Sequence, residues 1–254
     1  RKASVYQYTD PSNSNSTSYV SGSEEESTNL TVTTEAEVYF PLKFSERSKY
    51  WQPYTEASSS LFGCFTAKDD ATDYETQTRD IAGFQVYAIR NKKEDTGVYF
   101  QLTGAYVPSL ETDFFEDVYD NEKWNFSVRF RHEKTPFVDE VSGSFISGST
   151  NNIIAEFHGI NTEAGFTKRQ FAISGTFDTD LHSQWKTFFE RNRRFYVGAH
   201  YEDATGSLQT PTDVKFSYLR HWLSDISDEE IKAHAISLEN YGVEHPLRND
   251  TIFD

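Results

Sequence analysis

Cysteine occurs once in this chain of 254 residues, and methionine not at all. A lone thiol excludes an intramolecular disulfide and a cysteine-based metal centre. Cys64 lies in the run Leu61-Phe62-Gly63-Cys64-Phe65 and is expected as a small buried hydrophobe rather than a nucleophile. With Arg1 instead of methionine at the start, the chain is expected to be a processed product or an excised segment. No run of about 18 apolar residues is present, so no membrane-spanning helix is expected, and no signal peptide is visible. Basic residues are scarce: 24 Lys and Arg face 40 Asp and Glu, a net charge of −16. That field repels phosphate backbones and acidic membrane surfaces, which excludes nucleic acid and membrane insertion as partners. Its plain role is solubility; its sharper role is to gather cations.

Motifs of the common catalytic classes are also missing. There is no phosphate-loop glycine pattern, no Gly-x-Ser-x-Gly elbow, no dinucleotide fingerprint and no His-Glu-x-x-His pair. His132, His158, His182, His200, His221, His234 and His245 show no metal-ligand spacing. His221 and His234 are expected in packing or surface roles. Sequons at Asn15, Asn29, Asn125 and Asn249 are no more than an Asn-rich chain reaches by chance.

Aromatic residues are plentiful, 21 Phe and 15 Tyr, and suit pleated β-structure. From 36 to 44 the chain alternates: Ala36, Val38, Phe40, Leu42 and Phe44 share one face, and Glu37, Tyr39, Pro41 and Lys43 the other. Pro41 cannot donate to a ladder, so this strand is expected at an edge or with a bulge. Segments 83–90 and 97–103 flank a polar hairpin loop. In 124–131, Trp124, Phe126, Val128 and Phe130 oppose Asn125, Ser127, Arg129 and Arg131. Further strands are expected at 153–160, 169–177, 195–200 and 214–223. Many short strands without helical crossovers read as antiparallel sheets, each with one wet face. The fold class is all-β: a two-sheet antiparallel jelly-roll sandwich with one or two short helices.

One helix is expected at 181–192, where Leu181, Trp185, Phe188 and Phe189 form an apolar stripe. A second is expected at 228–235, opened by the capping box Ser227-Asp228-Glu229-Glu230, with Ile226 and Ile231 as its hydrophobic staple. Residues 1–34 read as a polar arm rich in Ser, Thr, Asn and Glu, 35–225 as the sandwich, and 226–254 as the capped helix and a tail. Arg191, Arg193 and Arg194 with Lys186 form a small basic patch, read as a solvated helix end or a contact for an acidic neighbour.

The closing run, from Val197-Gly198-Ala199-His200 through Thr205-Gly206-Ser207 and Asp213-Val214-Lys215 to Leu223-Ser224-Asp225-Ile226-Ser227-Asp228-Glu229-Glu230-Ile231, resembles the end of laminin-G-like domains. These belong to the concanavalin-A-like lectin/glucanase superfamily. Asp120-Asn121-Glu122-Lys123-Trp124 is similar to the family's central turn and strand. The resemblance covers about 120–235 and implies a jelly roll whose first and last strands lie near each other. It leaves function open, because the superfamily holds sugar binders, calcium-dependent adhesion modules, glycosidases and structural domains of surface proteins.

Two candidate sites emerge. Glu111-Thr112-Asp113-Phe114-Phe115-Glu116 matches the Glu-x-Asp-x-x-Glu pattern of laminarinase-like glycosidases. That pattern implies Glu111 as nucleophile, Asp113 as tuner and Glu116 as acid/base, and a bulge must bring i+5 onto the face of i and i+2. In an acid-rich chain the pattern also arises by chance, and a solvated acidic rim is the favoured alternative. Calcium is the second candidate, at the acidic stretch Asp69, Asp70 and Asp73, with Glu116, Asp117 and Asp120 as a second acidic group. No cofactor is required. The function expected is a non-enzymatic structural or adhesion module of a larger surface assembly, such as a virion, fibre or cell-surface protein. Its partners are other protein chains, a homo-oligomer among them, and glycans; its place is extracellular or on a particle surface. A carbohydrate-binding lectin domain is the alternative, and a glycosidase the third reading.

Overall fold

Period-two burial builds the architecture. In the computed structural model, which describes residues 32–42, 57–66, 83–104, 107–132, 153–176, 193–201, 208–222, 226–237 and 240, the alternating segments form two five-stranded antiparallel sheets. The first contains β1 (Val32–Phe40), β6 (Glu122–His132), β7 (Ile153–Glu163), β8 (Phe166–Thr176) and β12 (Lys215–Trp222), in the order β12-β1-β6-β7-β8. The second contains β2 (Ser58–Thr66), β3 (Gly83–Ile89), β4 (Tyr99–Gly104), β5 (Val107–Glu111) and β9 (Arg193–Val197), in the order β5-β4-β3-β2-β9. Two short strands, β10 (His200–Tyr201) and β11 (Leu208–Gln209), pair with each other. This is the two-sheet antiparallel jelly-roll sandwich expected from the sequence, and its first and last strands are neighbours. Among the described residues, no helix is long and apolar enough to cross a membrane.

Between the sheets lies a core of aromatic rings. Phe100 has its centroid 4.8 Å from Phe126, 5.1 Å from Trp124 and 5.7 Å from Phe171. Trp124, Phe126, Val128 and Phe130 are all fully buried, as the alternation of β6 requires. Cys64 is buried among them. Each buried aromatic removes about 150–250 Å² from water, so this layer dominates the stability of the fold.

β1 departs from the expected strand at both ends. Val32, Thr33 and Thr34, expected in the arm, are its first residues, and it stops at Phe40, before Pro41. Leu42, expected on the apolar face, is 55% exposed. β1 is also not an edge: it pairs with β12 on one side and β6 on the other. The proline is tolerated because the ladder has ended, and the irregularity falls instead between Glu37 and Val38 against β12.

The capped helix forms as expected, here α1 (Asp228–Ile236). Ser227 Oγ accepts from the Glu230 amide at 3.2 Å, and the Ser227 amide donates to Glu230 Oε2 at 2.6 Å. Ile226, Ile231 and Ala235 are buried with Ile160 and against Trp222, so the staple residues anchor α1 on the outer face of the first sheet. The helix expected at 181–192 lies outside the described residues.

Candidate functional site

The outer face of the first sheet holds what the sequence did not announce. Alternation places Glu35 and Glu37 of β1, and Asn125, Ser127 and Arg129 of β6, on a face expected to be wet. All five are buried instead, from 0% exposure at Glu35 to 7% at Arg129. α1 covers the part of this face at Glu35 and Arg129. Arg129 Nη1 donates to the Ile226 carbonyl at 2.6 Å and Nη2 to Asp228 Oδ1 at 2.7 Å, tying β6 to the start of the helix. Arg129 Nε and the Arg131 guanidinium also hold Glu156 of β7. Burial alone would raise the Glu156 carboxyl, but the two arginines outweigh it and hold it below its ordinary range. Further along α1, His234 Nδ1 is 3.0 Å from Glu35 Oε2, which also accepts from Trp222 Nε1 at 2.6 Å. Neither Glu35 nor His234 has measurable side-chain exposure. His158 of β7 is buried on the same face, and burial, with Arg129 adding to it, lowers its imidazole pKa. The sequon at Asn125 is closed to modification in this fold, since Asn125 and Ser127 are both buried.

At one end of this face the sheet opens into a cleft of about 460 Å³. One wall is the end of β1, with Tyr39, and the turn carrying Asp120, Asn121, Glu122 and Lys123. The other is the β7–β8 hairpin, with Asn161, Thr162, Glu163, Ala164, Gly165 and Lys168. The local sequence explains both walls. Asn121 takes a left-handed backbone, φ 61°, which Asn tolerates and most residues do not. Glu163 pairs with Phe166, leaving Ala164 and Gly165 as a two-residue turn with φ of 51° and 82°. Asn161 Nδ2 donates to the Lys123 carbonyl at 2.8 Å and locks the walls together. Glu122 is held by Lys168 at 2.9 Å and by Arg169, and Lys168 also reaches Glu163 at 3.3 Å. Tyr39 is 38% exposed, so part of its ring is available to a ligand. Chemically, the cleft offers amide, carboxylate and ammonium groups beside one aromatic ring.

The residues of the glycosidase-like pattern, weighed above against a solvated acidic rim, lie elsewhere. Glu111 is the last residue of β5, an edge strand, and is exposed; its Oε2 accepts from Gln101 Nε2 at 3.3 Å. Asp113 and Glu116 are exposed beyond the strand's end. Between them Phe115 packs inward on Phe100 and Trp124. No hydrogen bond or ion pair among the described residues links any two of the three carboxylates. Asp117 accepts from Thr96 Oγ1 at 3.0 Å, and Asp120 lines the cleft, so the second acidic group is divided. Asp69, Asp70 and Asp73 lie outside the described residues, as do Lys186 and Arg191. Among the described residues, no group of three or more His, Cys, Asp or Glu is placed to hold a metal. His221, expected in a packing or surface role, meets Thr34 Oγ1 at 2.9 Å and the Phe195 ring.

Sequence reasoning missed Tyr39 and the buried layer beneath α1. One signal was present: Ile160 breaks the polar parity of Glu156 and His158 on the outer face of β7, and an apolar residue there needs a cover.

No protein-family model and no curated protein matches the chain. Among solved structures it is similar to the native heptameric SAP-like pentraxin from Limulus polyphemus. The two share 10% identity and a TM-score of 0.39, over 84% of this chain and 72% of that one. A likeness this low says nothing of function, and the fold stands on the strand pairings themselves.

Proposed function

We propose that the chain is a non-enzymatic, lectin-like module that binds glycans in the cleft between Tyr39 and the β7–β8 hairpin. In this reading it serves as an adhesive or structural part of a larger assembly on a particle or cell surface, with other chains, copies of itself among them, as partners. The observation that carries the proposal is the cleft's composition. Planar amides and carboxylates bond pairs of hydroxyls, and an aromatic ring accepts the C–H face of a pyranose. The laminin-G-like resemblance over 120–235 supports the same reading.

A glycosidase needs an acid and a nucleophile placed about one bond. Glu111, Asp113 and Glu116 stand exposed at a strand end without a common partner, so catalysis by them is the reading set aside. The test is a glycan array read with and without calcium, followed by β-glucan hydrolysis assays. Binding of a defined glycan class that falls at least about tenfold in Tyr39→Ala, the weight of one aromatic contact, supports the proposal. Absence of binding in both conditions, or hydrolysis lost in Glu111→Gln, overturns it.

A further inference from the structure

Four side chains on the outer face of the first sheet form a block of unusual chemistry. Glu35 is the register partner of Ser127, and Glu37 of Asn125. Glu35 and Glu37 are two apart on one strand and so share a face. All four are at least 98% buried. Yet Glu35 Oε1, both oxygens of Glu37, Asn125 Oδ1 and Ser127 Oγ have no hydrogen-bond partner. Every one of these atoms is an oxygen able to accept.

Contacts from β12 place the groups together. Tyr218 is the partner of Glu37 across β1, and Asn125 Nδ2 donates to Tyr218 Oη, so the amide reaches over the Glu37 strand. Burial first, and then the charge of Glu35, push the Tyr218 phenol up, with Glu37 adding to the effect. That phenol therefore feels both carboxylates. Positive groups do lie near: Lys123 Nζ is 3.2 Å from Glu37 Oε2, and Arg220, the partner of Glu35 on β12, stacks on the Tyr218 ring at 4.0 Å, while Glu35 Oε2 has the Trp222 indole and the His234 ring. A buried oxygen without a partner is costly, and apart from Glu37 Oε2, which Lys123 reaches, four such acceptors on neighbouring residues call for one electron-poor occupant.

We infer that Glu35, Glu37, Asn125 and Ser127 form a binding site for a hard divalent cation, calcium by its donor set. Calcium takes oxygens from carboxylates, amides and hydroxyls in a flexible shell. It would bond the oxygens that Lys123, Arg220 and His234 leave without a hydrogen bond. The way in is the cleft, because Lys123 both lines it and contacts Glu37. The four residues proposed to hold the ion are not among those lining the cleft, so either reading can fail without the other.

Terbium, a luminescent stand-in for calcium, tests the site in the full chain. The Trp222 indole bonded to Glu35 would sensitise its emission on tryptophan excitation. The expected result is sensitised emission that calcium displaces, together with a calcium-dependent rise in Tm. Glu37→Gln should abolish both. Ser127→Ala, a smaller change that keeps the fold, should weaken terbium about tenfold, and Asp120→Asn in the cleft should leave terbium emission and its displacement by calcium unchanged. No sensitised emission, or emission that survives both Glu37→Gln and Ser127→Ala, overturns the inference. Emission lost in Asp120→Asn but kept in Glu37→Gln places the ion in the cleft and overturns it too. Loss of glycan binding with terbium binding intact bears only on the proposed function.

Discussion

Replacing Arg129 with Met removes the clamp between the sheet and α1 while keeping most of the side-chain volume. The guanidinium makes three contacts: Glu156 Oε2 at 2.5 Å, the Ile226 carbonyl at 2.6 Å and Asp228 Oδ1 at 2.7 Å. Removing one partner of a buried ion pair costs about 3–5 kcal/mol. Here the lower end applies, because Arg131 still bonds Glu156 at 2.9 and 3.0 Å. Asp228 adds little, since its side chain is 66% exposed and its pairing is screened. The Ile226 carbonyl loses a charged donor in a buried place, about 1.5–3 kcal/mol on its own scale, and part of that overlaps the first figure. Arg129→Met should therefore lose about 3 kcal/mol in urea denaturation at neutral pH, with hydrogen exchange of the α1 amides rising ahead of the core strands. The acid limb should shift as well. Glu156 has a folded pKa below its ordinary 4.5, so its stabilisation is present above 4.5 and lost as pH falls through the depressed value. Without Arg129 that depression shrinks, so the variant's acid transition carries a smaller Glu156 contribution. A loss under about 1 kcal/mol with unchanged α1 exchange would refute the clamp.

Three further outcomes follow from the same structure. Phe100→Ala opens the centre of the aromatic layer and should cost about 3–5 kcal/mol, read by thermal or urea unfolding. Ala164→Asn relieves a left-handed alanine, φ 51°, at a turn position that favours Asn, and should raise stability by up to about 1 kcal/mol in the same assay. The phenol of Tyr119, bonded to Ser59 and Asp213, is pushed by burial from 10.0 up to about 12 against the lowering charge of Arg90. Its contribution to stability is full below pH 10 and is lost as pH rises through the folded value, so phenolate absorbance should show a late tyrosine phase that Tyr119→Phe reduces and Tyr218 still supplies in part.

Much of the fold was legible because its cause is local. The alternation of 124–131 is β6, the polar loop between β3 and β4 is a hairpin, and Ser227 and Glu230 cap α1 as their spacing dictates. The site was less legible because its cover comes from far along the chain. Asn125, Ser127 and Arg129 look like any wet strand face until α1, about a hundred residues later, closes on Arg129 and Tyr218 of β12 meets Asn125. Glu35 and His234 are separated by 199 residues, and no pattern in either segment names the other. The acidic pattern at Glu111 could not show where its strand ends: Glu111 closes β5, and Asp113 and Glu116 lie beyond it. Tyr39 was seen as a strand residue but not as a cleft wall, because the opposite wall depends on how far β7 and β8 extend toward their turn.

The most direct measurement of the central claim is amide chemical-shift mapping of the chain titrated with the glycan class selected on the array. The account predicts shifts at Tyr39, Asn121, Lys123 and the Glu163–Lys168 turn, with the glycan unchanged at the end. Shifts centred on Glu111, Asp113 and Glu116 with cleaved product in the tube would contradict it.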